Sequence, residues 1–316
     1  MVIDIKTGKR DDEMEVRRNS LKAWFLAARP KTLSGAAMPV IVGSAYAWKE
    51  LLCGTDVTGV TDLKEWLPII VANVLCFLFA FVMQIDANFV NDYWDCKKGR
   101  DNAERLGPLR ACQQGWVTMR AMKWAIALTT LLACAVGLPL AFLNPNLIIL
   151  GLACVVFCFL YTTCLASLGL GDLLVVVFFG LVPVCGTTYV LCGNCAWLLG
   201  LACGLVVDTL LIVNNYRDID NDRHSGKKTL VVLIGKKYSE WLYLFLPTIA
   251  LVLVLLQYGW SQANIILCFG SYFLFTQSWN EMRVISKGKA LNKVLGKTAR
   301  NIFAFGILIS ILIILA

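Results

Sequence analysis

Apolar runs of about twenty residues, parted by short polar segments, recur along the whole chain. A bilayer core about 30 Å thick takes about 20 helical residues to cross. Nine segments are of that kind, at 22–48, 66–91, 119–142, 146–166, 171–192, 194–216, 238–258, 263–283 and 300–316. Barrel strands would be shorter and would alternate polar with apolar positions. The pattern therefore predicts an all-α membrane protein, a bundle of nine transmembrane helices. The polar loops are each shorter than about 30 residues and every span needs neighbours, so residues 20–316 read as one transmembrane domain. The stretch 1–19, "MVIDIKTGKRDDEMEVRRN", mixes both signs and has no apolar core of signal-peptide length. It reads as a mobile cytoplasmic tail.

Composition strengthens this picture: 58% of the 316 residues are hydrophobic, 16% are charged, and the mean hydropathy is +0.69. The net charge of +8 could suggest a nucleic-acid partner, but its distribution follows topology instead. Of 29 Lys and Arg, 27 fall in 1–31, 92–123, 217–237 and 283–300, leaving only Lys49 and Lys64 for the other side. That asymmetry is the positive-inside pattern; it puts the N-terminus in the cytoplasm and, after nine spans, the C-terminus outside. No nucleic-acid partner is needed. The thirteen cysteines are scattered mostly through apolar runs, where a thiol is a small hydrophobe, so they do not read as a disulfide scaffold. "CGNC" at 192–195 lies in a tight interhelical turn with no second pair to complete a zinc site.

Two places break the apolar pattern with carboxylates. Span two ends in "NDYWDCKKGRD" at 91–101 and span six in "NNYRDIDND" at 214–222, each followed by a basic loop with a glycine. At about 100° per helical residue, Asn91 and Asp95 share a face, flanked by Asn88 and Asp92. Gly99 is placed to end that helix. Asp218 and Asp222 repeat the spacing of four, with Asn214 and Asn215 a turn earlier, while Asp220 points about 200° from Asp218. Crowded carboxylates repel unless a cation lies between them. Asp and Asn oxygens, with His224 the only histidine, suit a hard cation such as magnesium. Magnesium held by few carboxylates completes its shell with water and phosphate oxygens, and the basic loops offer phosphate partners, so a diphosphate fits.

Several stretches together resemble the intramembrane prenyltransferases of the UbiA superfamily, and within it the menaquinone-pathway branch. They are "AARPKTL" at 27–33, "NDYWDCKKGRD" at 91–101, "RLGPLRACQQG" at 105–115, "GLGDLLVVVFFG" at 169–180, "NNYRDIDNDRHSGKKTLVVLIG" at 214–235 and "LNKVLGKTAR" at 291–300. The resemblance implies UbiA-type architecture in the bacterial cytoplasmic (inner) membrane, with the active site toward the cytoplasm. It implies that Asn91, Asp95, Asp218 and Asp222 organise Mg2+ and a polyprenyl diphosphate, with Asp92 supporting this catalytic set. Lys98, Asp101, Arg105, Arg110, Asn214, Arg217, Arg223 and Lys227 would surround the diphosphate. The branch implies transfer of the prenyl group to 1,4-dihydroxy-2-naphthoate with loss of carbon dioxide, giving demethylmenaquinone.

Arg29 and Lys31, at the start of span one, are placed to meet the acceptor's carboxylate, with Asn88 and Tyr161 beside it; Pro30 and Pro39 are placed to kink that span. Tyr93, Trp94, Phe178, Phe179 and Tyr189 are further aromatics able to shield an allylic cation. Asp86 and Asp208 are ionisable residues inside spans, which are costly in lipid. Asp208 shares the stripe of Asn215 and Asp222, whereas Asp86 lies about 180° from Asp95, as a carboxylate hydrogen-bonded between helices would. Prenyl transfer to 4-hydroxybenzoate or homogentisate is the near alternative. A cation-coupled transporter would instead place its acids near mid-membrane. Prenyl chain length and oligomeric state leave no signal in the sequence.

Overall fold

A computed structural model describes residues 16–54, 63–99 and 106–316, apart from the side chains of Lys31, Gly54, Leu63 and Glu65. Arg100, Asp101 and Arg105 lie outside the described residues, as does most of the 1–19 tail. Among the described residues every regular element is helical. The order is α1 (Leu21–Ala28), α2 (Leu33–Gly54), α3 (Leu63–Lys97), α4 (Met119–Leu143), α5 (Asn146–Thr163), α6 (Gly171–Val176), α7 (Val182–Cys192), α8 (Trp197–His224), α9 (Leu230–Tyr258), α10 (Gln262–Ile285) and α11 (Leu291–Leu315).

Seven helical segments are long and apolar enough to cross a membrane, counting α6 and α7 as one span, Gly171–Cys192. α2 and α10 fall short of that measure, so the nine expected spans appear as seven spans and two further long helices among the described residues. Large apolar side chains such as Phe142, Ile149 and Phe269 stand exposed on the outside, as lipid-facing residues do.

The first expected span is not one helix. α1 stops at Arg29, whose φ of 51° is left-handed, and a 3₁₀ turn over Pro30–Thr32 leads into α2. A residue before proline is driven out of the α region, which is why the chain turns here. Asn88 holds the corner: its Nδ2 donates to the Ala28 carbonyl and to Thr32 Oγ1, both at 2.9 Å.

The two acidic segments are helical to their ends. α3 runs six residues past the expected boundary of 91 and is terminated by Gly99, at φ 63°. α8 runs eight residues past 216. Between α6 and α7 the chain makes one π-helical turn, Val177–Leu181, against α8. The backbones nearly touch there: a Cβ on Gly180 would lie 2.3 Å from Gly204 Cα, and one on Gly204 would lie 2.4 Å from the Val176 carbonyl oxygen. Gly200 and Gly204, four apart on α8, are the small-residue pair that permits such an approach.

Candidate active site

The acidic ends of α3 and α8 face each other across a cavity of about 290 Å³. Asn91 and Asp95 line it from α3; Asn214, Asp218 and Asp222 line it from α8. The predicted i, i+4 faces are thus the ones brought together, and Asp220 is exposed on the far side of α8. The C-terminal end of a helix carries partial negative charge, so carboxylates there need cations more than elsewhere. Each has one. Arg110 Nη2 meets Asp95 Oδ2 at 2.7 Å, Arg217 Nη2 meets Asp218 Oδ2 at 2.5 Å, and Lys227 Nζ meets Asp222 Oδ1 at 3.3 Å. Asn91 accepts a short hydrogen bond from Thr162 of α5.

The acidic stripe on α3 divides. Asp92 does not line the cavity; it is fully buried, and its carboxylate accepts from the backbone N–H groups of Ala111 at 3.0 Å and Cys112 at 3.2 Å. One residue of helix rotation, about 100°, turns it from Asn91 toward the following loop. There it anchors the segment that carries Arg110 to Asp95. Asn88 likewise serves the Arg29 corner and is absent from the cavity wall.

Of the described residues in the expected acceptor set, Arg29 and Tyr161 line the cavity. Of the other expected basic residues, Arg110 and Lys227 line it too, whereas Lys98, Arg217 and Arg223 sit outside it. Lys98 donates to the Thr163 carbonyl at 2.5 Å, and Arg223 is exposed. Arg217 faces away: Nη1 donates to Asn292 Oδ1 at 2.7 Å, and Asn292 Nδ2 donates to the Leu106 carbonyl at 2.8 Å. Asn292, at the start of α11, therefore ties the second acidic site to the loop of the first.

Among the described residues no three His, Cys, Asp or Glu side chains converge into a ready metal cage. The donor set still fits magnesium, which is bound through one or two carboxylates with water and phosphate oxygens completing six positions.

The family model described as "UbiA prenyltransferase family" matches residues 36–290, which takes in both acidic helix ends and the loops after them. The chain belongs to the UbiA prenyltransferase family. It is therefore a prenyl-transferring enzyme built on an integral membrane scaffold. Among curated relatives, a 1,4-dihydroxy-2-naphthoate octaprenyltransferase of Escherichia coli is 36% identical over 237 residues, 71% of each chain. Among solved structures, a UbiA homologue from Aeropyrum pernix has a TM-score of 0.63 at 18% identity, covering 87% of this chain and 97% of that one. A homologue from Archaeoglobus fulgidus, bound to DMAPP and Mg2+, has a TM-score of 0.62 at 13% identity, covering 91% and 98%.

Other UbiA-family expectations sort by position. Of the six candidate aromatics only Tyr161 borders the cavity. Tyr93 packs edge-on against Trp94, Phe178 packs on Phe157, and the Tyr189 hydroxyl accepts from Asn144. Asp86 is buried between α3 and α4, accepting from Thr129 Oγ1 at 2.5 Å and Thr130 Oγ1 at 3.0 Å. Asp208 is buried too, but it stands behind the cavity wall, not on it. Asp172 and Ser167 are among the cavity residues that escaped the sequence reading. Asp172 carried the same signal as Asp86 and Asp208, an ionisable residue within an apolar span.

Proposed function

We propose that this UbiA-family enzyme transfers a polyprenyl group from polyprenyl diphosphate to 1,4-dihydroxy-2-naphthoate, releasing diphosphate and carbon dioxide and yielding demethylmenaquinol, the reduced form of demethylmenaquinone. The observation that carries this reading is the single cavity shared by Asn91, Asp95, Asp218 and Asp222, each carboxylate already matched to a basic side chain. Those four residues would hold magnesium. When bound, the ion supplies charge neutralisation on the diphosphate, which makes it a better leaving group.

Arg110 and Lys227 are placed to exchange their carboxylates for phosphate oxygens, with Asp101 and Arg105 completing the diphosphate surround. Arg217 keeps its grip on Asp218 and fixes the direction of that ligand. As the donor's carbon–oxygen bond breaks, positive charge develops on the allyl group beside Tyr161, whose ring can stabilise it while the buried wall excludes water. Arg29, with Lys31, would hold the acceptor's carboxylate. The ring carbon bearing that carboxylate attacks the allyl carbon, and the electron pair of the departing carbon dioxide restores the aromatic ring. The branch assignment draws support from the 36% identity to the naphthoate enzyme of Escherichia coli.

We further read nine spans with the N-terminus and the cavity on the cytoplasmic side of a bacterial inner membrane, because 27 of the 29 Lys and Arg fall on that side.

The test is to incubate membranes bearing the protein with Mg2+, a polyprenyl diphosphate and a panel of aromatic acids, and to weigh the lipid products. Only the naphthoate should give abundant product, lighter than the simple adduct by one carbon dioxide. A clear preference for 4-hydroxybenzoate would overturn the branch. Undiminished turnover in excess chelator would overturn the role of the metal.

A further inference from the structure

Among the described residues four carboxylates border the cavity, and one of them differs from the rest. Asp95, Asp218 and Asp222 each face a basic side chain. Asp172, at the start of α6, is in no ion pair among the described residues, although it is only 7% exposed. The N–H groups of Asp172 itself and of Leu230 lie against its carboxylate and hold its direction. Its Oδ1 nevertheless has no hydrogen-bond partner. Ser167 borders the same cavity, and its Oγ is also buried without a partner. The turn carrying both is pinned to the start of α9, because the Lys228 N–H donates to the Ser167 carbonyl at 3.1 Å. A Cβ on Gly171 would lie 3.9 Å from the Tyr161 ring, so that ring edges the same end.

A buried carboxylate oxygen without a donor is costly unless a ligand supplies one. The chemistry of this end selects the ligand group. Asp208 is buried behind Asp172, and it too has an unpartnered Oδ1, so the side chains this end offers are acceptors. An anion is repelled here, which turns away both diphosphate and the acceptor's carboxylate. Among the described residues no third acidic or sulfur ligand is at hand for a metal. What remains is a neutral hydrogen-bond donor on an aromatic ring lying by Tyr161, which is a phenolic hydroxyl.

We propose that Asp172, aided by Ser167, accepts a hydrogen bond from the acceptor hydroxyl remote from the carboxylate, and so selects a dihydroxylated ring. The remote hydroxyl is the free one, since the hydroxyl next to the carboxylate is satisfied within the molecule. This rests on the naphthoate reading above and deepens it. Sites built to bond a substrate hydroxyl reject analogues without it far more strongly than apolar pockets distinguish a methyl group.

The experiment compares 1,4-dihydroxy-2-naphthoate with 1-hydroxy-2-naphthoate, which lacks the remote hydroxyl, as substrate and as competitive inhibitor respectively. The unmodified protein should bind the first about 10–100-fold more tightly. In Asp172→Ala that ratio should fall to within about threefold of unity, while the KM for the prenyl diphosphate moves less than about twofold. Ser167→Ala should lower the ratio by a smaller factor. If Asp172→Ala is not monodisperse, Asp172→Asn, which keeps the volume and weakens the acceptor, should reduce the ratio at least fivefold. An unchanged ratio in a folded variant, or a donor KM that rises in step with the acceptor KM, would overturn the proposal. A ratio near one in the unmodified protein with normal turnover would do the same and leave the naphthoate reading standing; no turnover of the naphthoate at all would sink that reading instead.

Discussion

Arg217 grips the carboxylate of its sequence neighbour Asp218 through two bonds, Nε to Oδ1 at 2.8 Å and Nη2 to Oδ2 at 2.5 Å. Adjacent residues on a helix point about 100° apart, so the guanidinium must fold back along α8 to do this. Its planar fork leaves Nη1 for Asn292 and shares Nη2 with Asn214, at 2.7 and 2.8 Å. Asp218 is thereby held in one orientation before any ligand arrives.

That arrangement assigns Asn292 a positioning role. Asn292→Ala removes the link from Arg217 to the Leu106 carbonyl, so kcat/KM for the prenyl diphosphate should fall about tenfold. The KM for the acceptor should hardly change. Arg217→Lys should cost more, about 10–100-fold, because an ammonium cannot span both carboxylate oxygens and Asn292. Steady-state kinetics with each substrate varied in turn separates these effects; equal rises in both KM values would show general loosening of the site.

Position on α8 should outweigh charge. Asp218→Asn, Asp222→Asn and Asp95→Asn each remove an anionic ligand aimed into the cavity, and initial rates at saturating donor and Mg2+ should drop by a factor on the order of 100 or more. Asp220→Asn, on the exposed face, should stay within about threefold of the unmodified rate. Equal losses at 218, 220 and 222 would contradict the helical register.

The contact between the π turn and α8 should be intolerant of a single methyl group. Gly204→Ala would drive a Cβ to 2.4 Å from the Val176 carbonyl oxygen, and Gly180→Ala one to 2.3 Å from Gly204 Cα. Each should lower stability by about 1–3 kcal/mol, read as a lower melting temperature in detergent. Gly151→Ala is the control: nothing lies within 4 Å of its added carbon, and helix propensity should hold or slightly raise the melting temperature.

Orientation can be read from thiols. Cys195, in the turn before α8, and Cys164, at the cavity end of α5, are both exposed and at opposite ends of the bundle. With single-cysteine variants in intact cells, a membrane-impermeant maleimide should label Cys195 and spare Cys164. The reverse pattern would invert the proposed topology.

Much of this was legible because two rules act locally. Hydropathy marked the spans, and the period of 3.6 placed Asn91 with Asp95 and Asp218 with Asp222 on shared faces, as they stand around the cavity. The same rule overreached at Asp92, where a single residue's rotation sends the side chain to a loop that only tertiary structure brings near. Asn292 was hidden for a like reason: its partners Arg217 and Leu106 are distant in sequence. The GxxxG pair at Gly200 and Gly204 was visible, but its partner Gly180 lies within a π turn that no local pattern announces.

The π turn sets the phase of a whole span. One surplus residue in Val177–Leu181 advances everything after it by about 100° relative to an unbroken helix. The half before it presents Asp172 to the cavity, while the half after it meshes Val184 and Thr187 with Gly43 of α2. The turn works as a clutch between two gears cut at different angles, so the cavity-facing half can be retuned by substitution without unseating the half that is geared to its neighbours.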